Sequence, residues 1–121
     1  MHALRNFEIE VIRLLANSAL DKSQLDGLAS FTGSAEYEYT GSGYFLTVRM
    51  PMLPDIQSTL SHPFVVGEAD GIEGGSVVFL EPGELTLECH SWSAVDVPAD
   101  VRERNVVLSI RKMNYIDLTG D

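Results

Sequence analysis

Hydrophobic and polar positions recur with two different periods along this chain, and the change comes near residue 34. Before it, Leu4, Phe7, Val11, Leu14, Leu15 and Ser18 step by three and four, the spacing that lines up one helical face. Arg5, Glu8, Arg13 and Asn17 fall off that stripe, while Ile9 and Ile12 widen it. The pattern predicts an amphipathic helix over residues 3–20, buried on more than one side. Asp21 followed by Gln24 has the form of a capping box and predicts a short second helix to residue 29. Gly27 weakens that helix by about 1 kcal/mol relative to alanine, so an irregular turn is the alternative.

From residue 34 the period is two. Glu36-Tyr37-Glu38-Tyr39-Thr40 alternates, Gly41-Ser42-Gly43 supplies a turn, and residues 44–50 continue in strand formers. Together they predict a β-hairpin. Pro51 and Pro54 end it, because proline cannot donate to a ladder. Residues 52–62 read as a connector with one helical turn at 56–60, and 63–69 as a third strand. Asp70-Gly71 and Gly74-Gly75 then bracket a loop. Residues 76–81 and 84–90 form a second hairpin around Pro82-Gly83, the central pair a type II turn favours. Its second arm puts Leu85, Leu87 and Cys89 on one face and Glu84, Thr86, Glu88 and His90 on the other, the pattern of a sheet covered on one side. A looser stretch covers 91–105. In a last strand, Val106, Leu108 and Ile110 alternate with Val107, Ser109 and Arg111.

Helices first and hairpin-linked strands afterwards give an α+β fold: an N-terminal helix, with the short second one, packed on one face of an antiparallel sheet of about six strands. The 121 residues suit one domain over 1–121. With 45% apolar and 21% charged residues the chain is expected to fold on its own core. Cys89 is the only cysteine, which leaves no intrachain disulfide. Arg5, Glu8, Glu10 and Arg13 interrupt any leader-like apolar run, and no stretch approaches a membrane span. A cytoplasmic location is the expectation.

Charge changes this picture most. Eighteen acids against eight bases give −10. Residues 50–101 hold Asp55, Glu68, Asp70, Glu73, Glu81, Glu84, Glu88, Asp96 and Asp100 with no lysine or arginine, so nine of the ten net charges fall there. Such a surface repels phosphate backbones and anionic lipid, so neither nucleic acid nor membrane is an expected partner. It attracts a basic protein. Solubility alone is the competing explanation.

Candidate chemistry is thin. Cys89-His90 pairs a thiol with an imidazole, but neighbours on a strand point to opposite faces, and a cysteine beside Leu85 and Leu87 suits the core. His2, His62 and His90 lack metal-ligand spacing, and Asp70-Gly71-Ile72-Glu73 lacks the acids of a calcium loop. No metal or cofactor is expected. Glu84 and Glu88 stand about 13 Å apart along one strand, too far for a glycosidase pair. An enzyme would have to assemble Asp70, Glu88 and His90 from a distance. Trp92, at the end of the acidic arm, is either an interface anchor or a cap on the core. These residues predict a partner-binding surface made of Asp70, Glu73, Glu81, Glu84, Glu88, His90 and Trp92, without catalysis.

In size, acidity, α+β pattern and lack of catalytic motifs, the chain resembles the small cytoplasmic immunity proteins with which bacteria neutralise basic toxins in contact-dependent competition. The stretch from Gly75 to Trp92 also resembles a recurrent core of small bacterial proteins. The likeness implies a non-enzymatic inhibitor of a basic partner, such as a toxin nuclease domain. That family shares no signature from which residue roles could be carried over. A self-associating structural module, forming a homodimer through a sheet edge or the face near Trp92, is the alternative.

Overall fold

The computed structural model describes residues 3–92 and 96–111. Residues 93–95 of the looser stretch, and His2, lie outside the described part. Two helices, α1 (Asn6–Ala16) and α2 (Lys22–Ala29), precede seven strands. These are β1 (Glu36–Tyr39), β2 (Gly43–Arg49), β3 (Ser58–Leu60), β4 (Val65–Ala69), β5 (Ile72–Glu81), β6 (Glu84–Ser91) and β7 (Val107–Ile110), with a 3-10 turn at Val101–Glu103 before the last. All pairings are antiparallel, in the order β1-β2-β6-β5-β4-β7. β5 is long enough to share one edge, its first half pairing with β4 and its second half with β3. The α+β fold read from the sequence is the fold observed, with one strand more.

Helix α1 is shorter than the residues 3–20 that the spacing predicts, and Ser18 beyond its end is exposed, but within the helix the stripe packs as that spacing requires. Leu4, Val11 and Leu15 are buried, joined by Ile12 and Ala16. The helix lies across β4, β5 and β7. Opposite it, Leu46, Val48, Val78, Leu80, Leu85 and Leu87 are all but inaccessible. Burial of each such side chain contributes about 1.5–3 kcal/mol, which makes this two-layer contact the main source of stability. Helix α2 adds Leu25 and Leu28. Its capping box is complete, with Asp21 Oδ1 accepting from the Gln24 N–H at 2.8 Å and Gln24 Oε1 accepting from the Asp21 N–H at 2.9 Å. The alternative of an irregular turn is thereby removed.

The structure corrects three local expectations. Residues 58–60 are not a helical turn but β3, hydrogen-bonded along the free half of β5. Three residues are too few to show a period, and only the neighbouring strand defines them. The loop expected between Asp70 and Gly75 shrinks to two residues. Asp70 and Gly71 both have positive φ, at 54° and 82°, the geometry that joins right-twisted strands most tightly. Gly74 and Gly75 therefore lie inside β5. Lastly, Glu8 is not off the buried stripe. It is completely inaccessible, in a row with Leu4, Ile12 and Ala16 at steps of four.

Glu8 is held by a network that closes one end of the molecule. Arg102 donates through Nε to Glu8 Oε2 at 2.7 Å, and through Nη2 to Glu8 Oε1 and the Ala3 carbonyl, both at 2.9 Å. Tyr44 Oη donates to Glu8 Oε2 at 2.5 Å, and the Arg5 N–H to Oε1 at 2.7 Å. The segment around Val97–Val101 is thus strapped across the helix-covered face. Tyr39 Oη donates to the Val97 carbonyl at 2.5 Å, and Arg5 holds Glu103 at 2.6 and 2.9 Å.

Candidate functional site

Strand alternation sorts the side chains of the sheet between two unlike faces. The register carries Tyr44, Cys89 and Ser76 across the helix-covered side, and Phe45, Glu88 and Val77 across the other. No helix covers that second face among the described residues. Its centre is apolar and partly accessible, with Phe45, Val77 and Phe79 beside Thr47 and Thr86, whose hydroxyls hydrogen-bond at 3.0 Å.

Carboxylates surround this centre. Glu84, Glu81 and Arg49 occupy adjacent positions at the β5–β6 turn. Glu88 stands between Phe45 and Val77, with Glu38 on the far side of Phe45. Glu73 and Glu68 are register partners at the opposite end. With Glu36, that places seven carboxylates on the open face against the guanidinium groups of Arg49 and Arg111. Glu36 and Glu38 come from β1, outside the segment that the sequence marks as acidic. The one clue to them was the Glu-Tyr-Glu-Tyr alternation.

The two arginines neutralise part of the field. Arg49 bonds Glu36 and, at 3.0 Å, Glu84. Arg111 bonds Glu73 at 3.0 Å, and that guanidinium holds the Glu73 carboxyl below the usual carboxylate range. Glu38, Glu68, Glu81 and Glu88 have no ion pair among the described residues. Each lies on a solvent-facing strand position, so most of the residual charge of the face is theirs, with one further charge left where Glu36 and Glu84 share Arg49.

Six of the seven residues singled out in the sequence are thus brought together: Glu73, Glu81, Glu84, Glu88, His90 and Trp92. Asp70 is not among them. It sits in the β4–β5 turn, where Arg104 bonds it at 2.6 Å while also holding Asp100 at 2.9 Å. The backbone turns there before the open face begins, so Asp70, Glu88 and His90 do not converge.

Trp92 lies on the open face and is 41% exposed. Its ring stacks on Phe64 with centroids 5.2 Å apart, and Arg111 sits 6.0 Å from its centroid. The indole also lies over Gly75, where a Cβ would come within 2.9 Å of it. This packing explains why glycine stands at that strand position. Trp92 is therefore a half-covered aromatic surface and not a lid on the main core. His90 is flanked by Gly43 and Gly75, and its Nδ1 is buried without a hydrogen-bond partner among the described residues.

Cys89 and His90 diverge as strand geometry requires. Cys89 packs against the core and lies 3.5 Å from the Ser76 hydroxyl. Burial pushes its thiol up to about 11, which leaves little thiolate at neutral pH. No group of three His, Cys, Asp or Glu side chains among the described residues is arranged to hold a metal ion. No helix among them is long and apolar enough to cross a membrane. In comparison with known proteins, the chain matches no family model, no curated protein and no solved structure.

Proposed function

We propose that this chain is a non-enzymatic binding protein that occludes a basic protein partner with the open face of its sheet, acting in the cytoplasm in the manner of an immunity protein. One observation carries the reading: among the described residues, seven carboxylates from four strands surround an accessible apolar centre, against two arginines. A lysine- or arginine-rich surface is drawn to such a face from a distance, and the apolar centre then supplies contact area. Electrostatic complementarity of this kind mainly raises the association rate and selects the sign of the partner.

The test is a capture experiment from the native cell, run in parallel with the wild-type chain and a Glu38→Lys/Glu88→Lys variant. Both positions are on the open face and make no ion pair among the described residues, so the variant is expected to keep its fold. One strongly basic protein retained by the wild type, lost with the variant and eluted by moderate salt, is the expected result. Equal retention by both chains argues against the proposal.

A second reading rests on β7. Val107 and Ile110 are 60% and 55% exposed, and the strand carries no charge between them, unlike β1 with Glu36 and Glu38. Uncharged edges invite pairing with another strand, here that of a second copy in a homodimer. Light scattering at high concentration separates the two: a monomer removes the self-association reading.

A further inference from the structure

Beneath the strap, on the helix-covered side of the sheet, is a hollow of about 70 Å³. Its origin lies in the register. Gly67, Gly74 and Ser91 are cross-strand neighbours on β4, β5 and β6, whereas the centre of that face carries Leu46, Leu87 and Val78 in register. Phe7 and Val11 of α1 and Val97 and Val101 of the strap line the hollow on the other side. The strap is fixed by Arg102 on Glu8 and by Tyr39 on the Val97 carbonyl, so it does not sink into the space.

Protein interiors rarely keep voids larger than a water molecule. Here the fold keeps a hollow, partly open to solvent, with three small residues in register and an anchored roof. Its wall is mostly apolar but carries the Ser76 hydroxyl and the Cys89 thiol side by side. The buried charge of Glu8 is already saturated by Arg102, Tyr44 and the Arg5 N–H, and Glu73, which borders the hollow, is paired with Arg111, so neither is free as a counter-charge for an ionic ligand.

We propose that this hollow is a binding site for a small uncharged molecule, an aromatic ring or short alkyl group bearing at most one hydroxyl, with that hydroxyl directed to Ser76 and Cys89. The inference stands apart from the acidic face and survives if that reading fails.

Phenol is the probe and benzoate its charged counterpart. Titration of the labelled wild-type chain, followed by NMR, is expected to give saturable shifts at Val11, Ser76, Cys89 and Val101. Intermolecular NOEs should reach the methyl groups of Val101 and Leu108, and benzoate should give no saturable shift. Ser76→Val, which fills the wall, should weaken phenol binding at least tenfold. If that variant does not fold, the NOEs alone locate the ligand. Absence of saturation with phenol, equal binding of benzoate, or NOEs confined to Phe45 and Phe79 on the open face would each overturn the proposal.

Discussion

Glu8 and Arg102 are ninety-four positions apart, yet they form a pair that closes the molecule, with side chains 0% and 14% accessible. Removing one member strands the other without its counter-charge, which costs about 3–5 kcal/mol in buried pairs. Glu8→Ala is therefore expected to lower unfolding free energy by that amount in urea titration. The double variant with Arg102→Ala should lose less than the two single changes added, because the second charge is no longer stranded. Two additive losses would mean that the two residues act separately. This network was not legible in the sequence. The three-four stripe leaves Glu8 off the buried face, because a charged residue there reads as solvated until its partner is known, and nothing near it in the chain points to Arg102.

Cys89 adds a dependence on pH at the same scale. Burial raises its pKa from the ordinary 9.0 to about 11, and burial likewise pushes the neighbouring Tyr44 phenol well above its ordinary 10.0. Below pH 9.0 both folded and unfolded chains keep the thiol proton. Between 9.0 and about 11 the unfolded chain loses it while the folded chain retains it, so stability falls as pH rises through that window. Urea midpoints should drop across it, and Cys89→Ala should flatten the first part of the decline. A midpoint that rises or stays level in the wild type contradicts the buried placement of the thiol.

Among the elements, the β5–β6 hairpin was the most readable part of the sequence. Alternation, a Pro-Gly turn and a clean division of leucines from glutamates all agree there. Gly83 has φ +69°, as a turn that needs glycine in its second central place should. What the sequence could not disclose was why the neighbouring strands carry glycine. At Gly43 an added Cβ would stand 1.8 Å from the Cys89 carbonyl oxygen, and at Gly74 it would stand 2.3 Å from that of His90. The end of β6 is thus squeezed between β2 and β5 by contacts with backbone, which cannot rotate away. Gly43→Ala is expected to cost about 3 kcal/mol or more, the upper range for overpacking. At Gly71 nothing lies within 4 Å and only its positive φ matters, so Gly71→Ala should cost about 1–2 kcal/mol. Equal losses in thermal or urea unfolding would show that the close approach at Gly43 is relieved at no expense.

At the scale of the whole molecule, the sheet acts as a sorting device. Helices take one face, and five of the nine carboxylates from the middle of the sequence, Glu68, Glu73, Glu81, Glu84 and Glu88, collect on the other. Composition alone gave the sign of this surface. It could not say that Glu36 and Glu38 join it from β1, or that Asp70 and Asp100 leave it for Arg104. It also could not foresee Arg49 and Arg111 reaching across to quench part of the field, since both lie outside the acidic segment. Most of the charge that remains resides on Glu38, Glu68, Glu81 and Glu88. These side chains make no ion pair among the described residues, and surface substitutions away from structural features move stability little, so altering them should change recognition while leaving the unfolding curve in place.

Association kinetics with the captured partner test this account most directly, with the wild-type chain and Glu38→Lys/Glu88→Lys compared from low to physiological ionic strength. The account predicts that the wild-type rate constant falls steeply as salt is added. At low salt the variant should associate at least ten times more slowly, and the two curves should converge as screening shortens the reach of the charges. Coincident, salt-independent rates for the two chains would contradict it.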